Sequence, residues 1–417
     1  MKEALKEAAK NGDLKEVQTA LDVLNKDLVT IKSEALFLAV LNGNENIVDV
    51  LIQDGADINF KGGEDMDSCL KAAIMKGHPE IAKKLIGHGA DLNAKNKNGV
   101  TALMSAIKGK QFDVARDLMT FGADVNLTTN KGFSALHFAA LIKEGKEIVA
   151  DLIKFGAVPD IPEEDGWTAL MIASQFDERE EFISTLIEKG ANVDYQNNHG
   201  STALHIAAYK GVWSAIKTLI EKGANLNIQN KNGWTALMHA AQSKECFSVL
   251  SALIENGANL DIQNKKGWTA LMHAAQSEEC LSGLCALIEN GANLDMQNEG
   301  GLTALMVAVY HDNFHLVQEL IAGKADLNLV DKEKNTALMY ALEENNFPIA
   351  SYLIIKGIDV SIKNKDGIDA YNYVMKSGNK KMAQLIKEAA KKQVSKRRIA
   401  SQQGGQRAQS SQRQNGI

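Results

Sequence analysis

The chain has 417 residues, 45% of them apolar and 24% charged, with a net charge of −6, a balance that excludes a wholly disordered chain and provides for a large buried core. Only 4 prolines and 6% aromatic residues accompany abundant Ala, Leu, Ile, Lys, Glu and Asn, a mixture suited to short helices joined by polar turns. No apolar run approaches the roughly 20 residues needed to cross a bilayer, and Met1 to Lys10 lacks the apolar stretch of a secretory signal, so neither a membrane span nor Sec-type export is expected.

The chain repeats itself. Gly-x-Thr-Ala-Leu recurs at Gly99 to Leu103, Gly166 to Leu170, Gly200 to Leu204, Gly233 to Leu237, Gly267 to Leu271 and Gly301 to Leu305, with Ser134 for Thr in Gly132 to Leu136. The leucines at 103, 136, 170, 204, 237, 271, 305 and 338 are 33 or 34 residues apart, a period that marks one structural unit. Weaker copies at Leu5, Leu36, Leu70 and Tyr371 bring the expected number of units to about twelve. A second anchor follows each Leu by about 20 residues, as in Gly55 to Asn59, Gly89 to Asn93, Gly223 to Asn227 and Gly257 to Asp261. Between the anchors two helices are expected. Each Thr stands where a hydroxyl caps a first helix. The repeated Gly then ends the second helix, in the left-handed conformation it tolerates best.

The units take the following order along the chain. Residues 1–31 lack the Gly-x-Thr start and read as an N-terminal cap, 32–365 as the array, 366–392 with a Lys-rich second helix as a C-terminal cap, and 393–417 as a disordered basic tail. The segment after Gly156 holds two of the four prolines, Pro159 and Pro162, and the acidic triplet Glu163-Glu164-Asp165, so an irregularity is expected there. Units starting at Gly132, Gly166, Gly233 and Gly267 carry one extra residue between their helices, where the turn should bulge. Residues 233–266 and 267–300 agree at 27 of 34 positions, a duplication that presents nearly the same surface twice.

This period, with Thr-x-Leu-[His/Met]-x-Ala and Gly-Ala-[Asp/Asn]-x-[Asn/Asp], resembles the ankyrin repeat family over more than nine tenths of the chain. The resemblance implies an all-α solenoid in which each unit is a helix-turn-helix plus a β-hairpin finger and buries its apolar face against its neighbours. It also implies a module that binds protein. In that family the position between Gly and Thr lies on the finger and first-helix side that partners contact. Phe133, Trp167, Trp234 and Trp268 occupy it here, and Phe176, Tyr209 and Tyr310 fall near first-helix ends on the same side. Large aromatic residues supply much of the energy of interfaces, so these seven form a candidate partner-binding strip. The competing reading is that the tryptophans pack on neighbouring fingers as framework. The family's usual Pro after Thr is Ala in every clear unit, as at Ala102 and Ala236, which removes a fixed φ from the first helical turn.

Residue types that carry chemistry do not assemble into a catalytic pattern. His137 and His205 sit at the resemblance's own structural His, and His239 and His273 lie one place later in the duplicated units. Cys69, Cys246, Cys280 and Cys285 show no CxxC spacing and read as unpaired thiols of a reducing compartment. No P-loop, His-Glu-x-x-His, Gly-x-Ser-x-Gly or dinucleotide motif occurs, so no enzyme activity, cofactor or metal is expected. Asn59, Asn93, Asn126, Asn227 and Asn328 resemble sites of asparaginyl hydroxylases, with a turn in which each Asn bonds its own backbone as the structural alternative.

Residues 393–417 carry five cations and no acid, which leaves −11 for residues 1–392. An acidic body argues against nucleic acid and favours basic or mixed-charge protein partners. The expected protein is therefore a monomeric cytoplasmic scaffold or adaptor. The alternative is an effector of an intracellular bacterium that binds a host protein. The basic tail serves in these readings as a route to nuclear entry or export to a host cell.

Overall fold

In a computed structural model the described residues are 1–24 and 28–395. They divide into two compact units, one of residues 1–207 with 214–224, the other of residues 208–213 with 225 onward. Each is an all-α solenoid of stacked helix pairs.

The local chemistry of the motif accounts for the helices. Thr101, Thr168, Thr235, Thr269, Thr303 and Thr336 each accept the backbone N–H three residues on, at 3.3–3.5 Å, and so cap the helices that begin at the following Ala. The eight period-marking leucines sit one residue further and are no more than 1% exposed. Burying one such side chain is worth about 1.5–3 kcal/mol. The second helices end at glycines in the left-handed region, Gly257 at φ 84° among them. Two described repeats depart from this: the helix Leu14–Val23 ends at an extended Leu24, and in another repeat Gly323 keeps a helical φ of −70° while Lys324 takes the left-handed place at 72°.

The fingers are tight turns. Lys61–Gly62 and Asp67–Ser68 form a two-stranded antiparallel ladder, the one regular sheet among the described residues. Elsewhere a side chain does the closing: Asn264 Oδ1 accepts the N–H groups of Lys266 and Trp268 at 2.9 and 3.0 Å, and Asn264 N–H donates to Trp268 O at 2.9 Å. The finger after Gly156 keeps this geometry despite its prolines, which corrects the expected irregularity. Glu163 replaces the Asn, its carboxylate accepting from Asp165 and Trp167 N–H at 2.8 and 3.0 Å.

Within each compact unit two ladders tie successive repeats together. At the tips, backbone bonds such as Lys265 N–H to Asn232 O (3.1 Å) and Glu299 N–H to Lys266 O (3.0 Å) join successive fingers. They bring the chains so close that a Cβ on Gly233 would lie 2.7 Å from Lys265 N, which is why Gly is needed there. At the finger bases, Asn59, Asn93, Asn126, Asn227 and Asn328 each accept a backbone N–H of the next repeat through Oδ1, at 2.7–2.8 Å. Asp160, Asp261 and Asp295 do the same with Asn192, Asn293 and Asp326. The expected self-bonding Asn turn is thus corrected: the residue two before makes the local turn, as Asp91 does for Asn93 N–H at 2.9 Å, and the Asn reaches across.

In three of the four repeats with an extra residue the first helix is short, while Ala135–Leu141 of the Gly132 unit keeps 7 residues. Ala169–Ala173, Ala236–Ala240 and Ala270–Ala274 have 5 residues, against 7 in Ala102–Lys108 and Ala304–Tyr310. In the Gly132 and Gly267 units a 3-10 turn follows, at Lys143–Gly145 and Glu278–Cys280. At the C-terminal end a helix runs from 380 through 395. Gln393 in it donates to Ile358 O at 2.7 Å. The rest of the expected tail, 396–417, lies outside the described residues.

Candidate functional site

The first-helix histidines separate into two groups by position. His137 Nδ1 accepts from Ser134 N–H at 3.0 Å, and its Nε2–H donates to Trp167 O at 3.0 Å, so one tautomer serves both the helix cap and the next finger. Burial holds its pKa below the usual imidazole value. His205 likewise accepts from Thr202 N–H and is 2% exposed. Both are framework.

His239 and His273 do something different. Standing one residue later, they turn toward the tryptophans between Gly and Thr, and rings from successive repeats meet in series. Tyr209 is edge-on to His239 (5.8 Å between centroids), which lies 4.9 Å from Trp234. Trp234 is 4.3 Å from His273, and His273 is stacked on Trp268 at 5.1 Å. Five rings thus form one run along three repeats, with each imidazole between two larger rings. Such contacts add about 0.5–1.5 kcal/mol per pair beyond area burial. His273 is 6% exposed, and burial pushes its pKa down to about 4, so it is neutral at pH 7. Trp234 and Trp268 remain half-buried and Tyr209 is 60% exposed.

Between the duplicated repeats this run walls a cleft of about 440 Å³. Trp234, Trp268 and His273 form its aromatic side, Gln242 and Gln276 reach into it from the ends of the shortened first helices, and Lys265 and Lys266 stand at the finger tip. Gln242 Nε2 lies 3.2 Å from His273 Nδ1 and 3.3 Å from Gln276 Oε1. No carboxylate lines the cleft.

The structure therefore brings Tyr209, Trp234 and Trp268 of the candidate strip together. Tyr310, 58% exposed, is in the same unit but packs edge-on against Tyr340 at 6.4 Å, outside the ring run. Phe133, Trp167 and Phe176 belong to the other unit. There Phe133 packs on His137 at 5.5 Å, and Arg179 lies over the Phe176 ring at 5.7 Å. Gln242 and Gln276, which line the cleft, were not singled out in the sequence, and His239 and His273 were read there only as copies within duplicated units. Their signal was recurrence in both copies of the duplicated unit.

Cys246 and Cys280 also occupy equivalent places in these two repeats. Their sulfurs are joined as a disulfide with Cα atoms 5.7 Å apart, a separation that suits the bridge, so the reading of both as free thiols is corrected. Cys69 and Cys285 are free, and burial pushes the Cys69 thiol up to about 12. Among the described residues no cluster of three or more His, Cys, Asp or Glu could hold a metal ion, and no helix is long and apolar enough to cross a membrane.

Family models of ankyrin repeats match residues 70–157, 136–230, 212–298 and 279–364, and a single-repeat model matches 35–62. The chain belongs to the ankyrin repeat family. Ankyrin repeats generally mediate protein–protein interaction and are typically non-enzymatic. The five-ring run lies within two of the matched stretches. A comparison with curated proteins gives no match.

Proposed function

We propose that this ankyrin-repeat chain is a monomeric scaffold or adaptor that holds a segment of a partner protein on its finger and first-helix surface, anchored at Tyr209, Trp234 and Trp268. The observation that carries this reading is the ring run itself. A framework Trp is covered by its own neighbours, whereas Trp234 and Trp268 leave part of each indole exposed on the cleft. The two histidines fix the indole planes in advance, which lowers the ordering cost of binding.

The test replaces both Trp234 and Trp268 with Ala and compares partner recovery with helical circular dichroism and melting point. Loss of recovery in a double variant that melts near the parent supports the anchor role, since truncating such an anchor costs on the order of 2 kcal/mol or more. Full-strength binding by a folded double variant removes the strip from the interface.

A further inference from the structure

We propose that the cleft between the duplicated repeats takes an acidic, extended peptide segment, its carboxylates meeting Lys265 and Lys266 and its backbone lying along the amides of Gln242 and Gln276. The proposal rests on the protein-binding reading above and assigns the chemistry of the segment. The net charge of residues 1–392 favours basic partners, but the cleft carries the opposite local charge. Two successive finger tips bear Lys231, Lys265 and Lys266 and no acid, as the tips at Lys97 and Lys131 also do, whereas the following tip carries Glu299 and others carry Glu163, Glu164 and Asp165, or Glu333. Neither Lys265 nor Lys266 is within ion-pair distance of a carboxylate among the described residues, so both charges are available to a ligand.

The remaining groups fit the backbone of such a segment. Side-chain amides donate and accept at once; the Gln242 and Gln276 heads meet at 3.3 Å, which leaves Gln242 Oε1 and Gln276 Nε2 without a partner among the described residues and able to pair with a peptide backbone. Asn232 adds a third amide at the tip, with no side-chain partner among the described residues. The neutral His273 lends the cleft no charge, so the two lysines set its sign. Apolar side chains of the segment would rest on the indole faces.

The experiment selects random dodecapeptides against the immobilised full-length chain and measures labelled winners by fluorescence anisotropy. The expected winners are rich in Asp and Glu. Their affinity should fall about tenfold or more in Lys265→Glu/Lys266→Glu and also as salt rises, because charge pairs at an exposed rim are screened. Gln242→Ala/Gln276→Ala, which keeps all five rings, should weaken binding at a temperature where circular dichroism shows the variant fully folded. Basic or uncharged winners, or parental affinity in the lysine variant, would overturn the proposal. If those winners still lose affinity in Trp234→Ala/Trp268→Ala, the protein-binding reading survives and only the acidic assignment falls. If a folded tryptophan variant binds every winner as the parent does, both fall.

Discussion

Trp234 and His273, 39 residues apart in sequence, sit ring to ring at 4.3 Å because the Trp belongs to one duplicated repeat and the His to the next. The contact sets up a dependence on pH. The folded chain holds His273 neutral down to about 4, while an unfolded imidazole takes up a proton near 6.5. Its neutral form is therefore favoured by folding. Stability from this residue is complete above pH 6.5 and falls as pH drops from there toward 4. The expected loss at pH 4.5 is about 2 kcal/mol. Melting curves of the parent and His273→Gln at pH 7 and 4.5 check it. The variant should lose less on acidification, and an equal loss would mean that other groups carry the effect.

The inter-repeat ladder gives a second expectation. Asn227→Ala removes the acceptor of Asn259 N–H and should cost about 1 kcal/mol in urea unfolding. Asn227→Asp should restore most of it, because Asp261 and Asp295 already fill this place in the chain. An Asp variant as unstable as the Ala variant would mean that the Oδ1 acceptor is not what matters.

Cys246 and Cys280 close a loop with a sequence separation of 34. Oxidised protein unfolded in guanidinium should titrate two thiols, from Cys69 and Cys285, and four after reduction. Peptide mapping should recover the 246–280 link. Reduction, or Cys246→Ser, is expected to lower stability by about 4 kcal/mol on the loop-entropy account. Four thiols without reductant would show that the bridge does not form in solution.

Deletion from either side of the last helix tests the cap. Removing 396–417 leaves every described contact in place and should not move the melting point. Removing 366–417 takes away the helix pair that covers Ile354 and Val360, 6% and 3% exposed, and should lower the midpoint or cause aggregation. Equal midpoints for the two truncations would refute the capping role.

Much of this was legible in the sequence because each repeat writes its own local structure. Thr before the helix, Leu inside it and Gly after it act within a few residues, and those elements came out where the spacing put them. What escaped depends on pairs of repeats. The run of Tyr209, His239, Trp234, His273 and Trp268 needs rings from different positions of adjacent units to interleave, and a list of equivalent positions does not contain that offset. Lys32 and Lys71 escaped for a related reason. They lie on apolar faces, 1% and 3% exposed, and are balanced by Asp54 at 2.7 Å and Asp67 at 2.6 Å. Only the fold brings Asp54 to Lys32. The finger after Gly156 was misread in the other direction, since Glu163 shows that the turn needs an oxygen acceptor more than it needs Asn.

The side-chain oxygen at each finger base bonds a backbone N–H, which every residue except Pro supplies. A repeat therefore asks nothing of its neighbour's side chains at that junction. A copied unit arrives with its own acceptor for the repeat ahead and offers a donor to the one behind. Residues 233–266 and 267–300 fit side by side under this rule, so the finger-base ladder carries through when a whole repeat is copied.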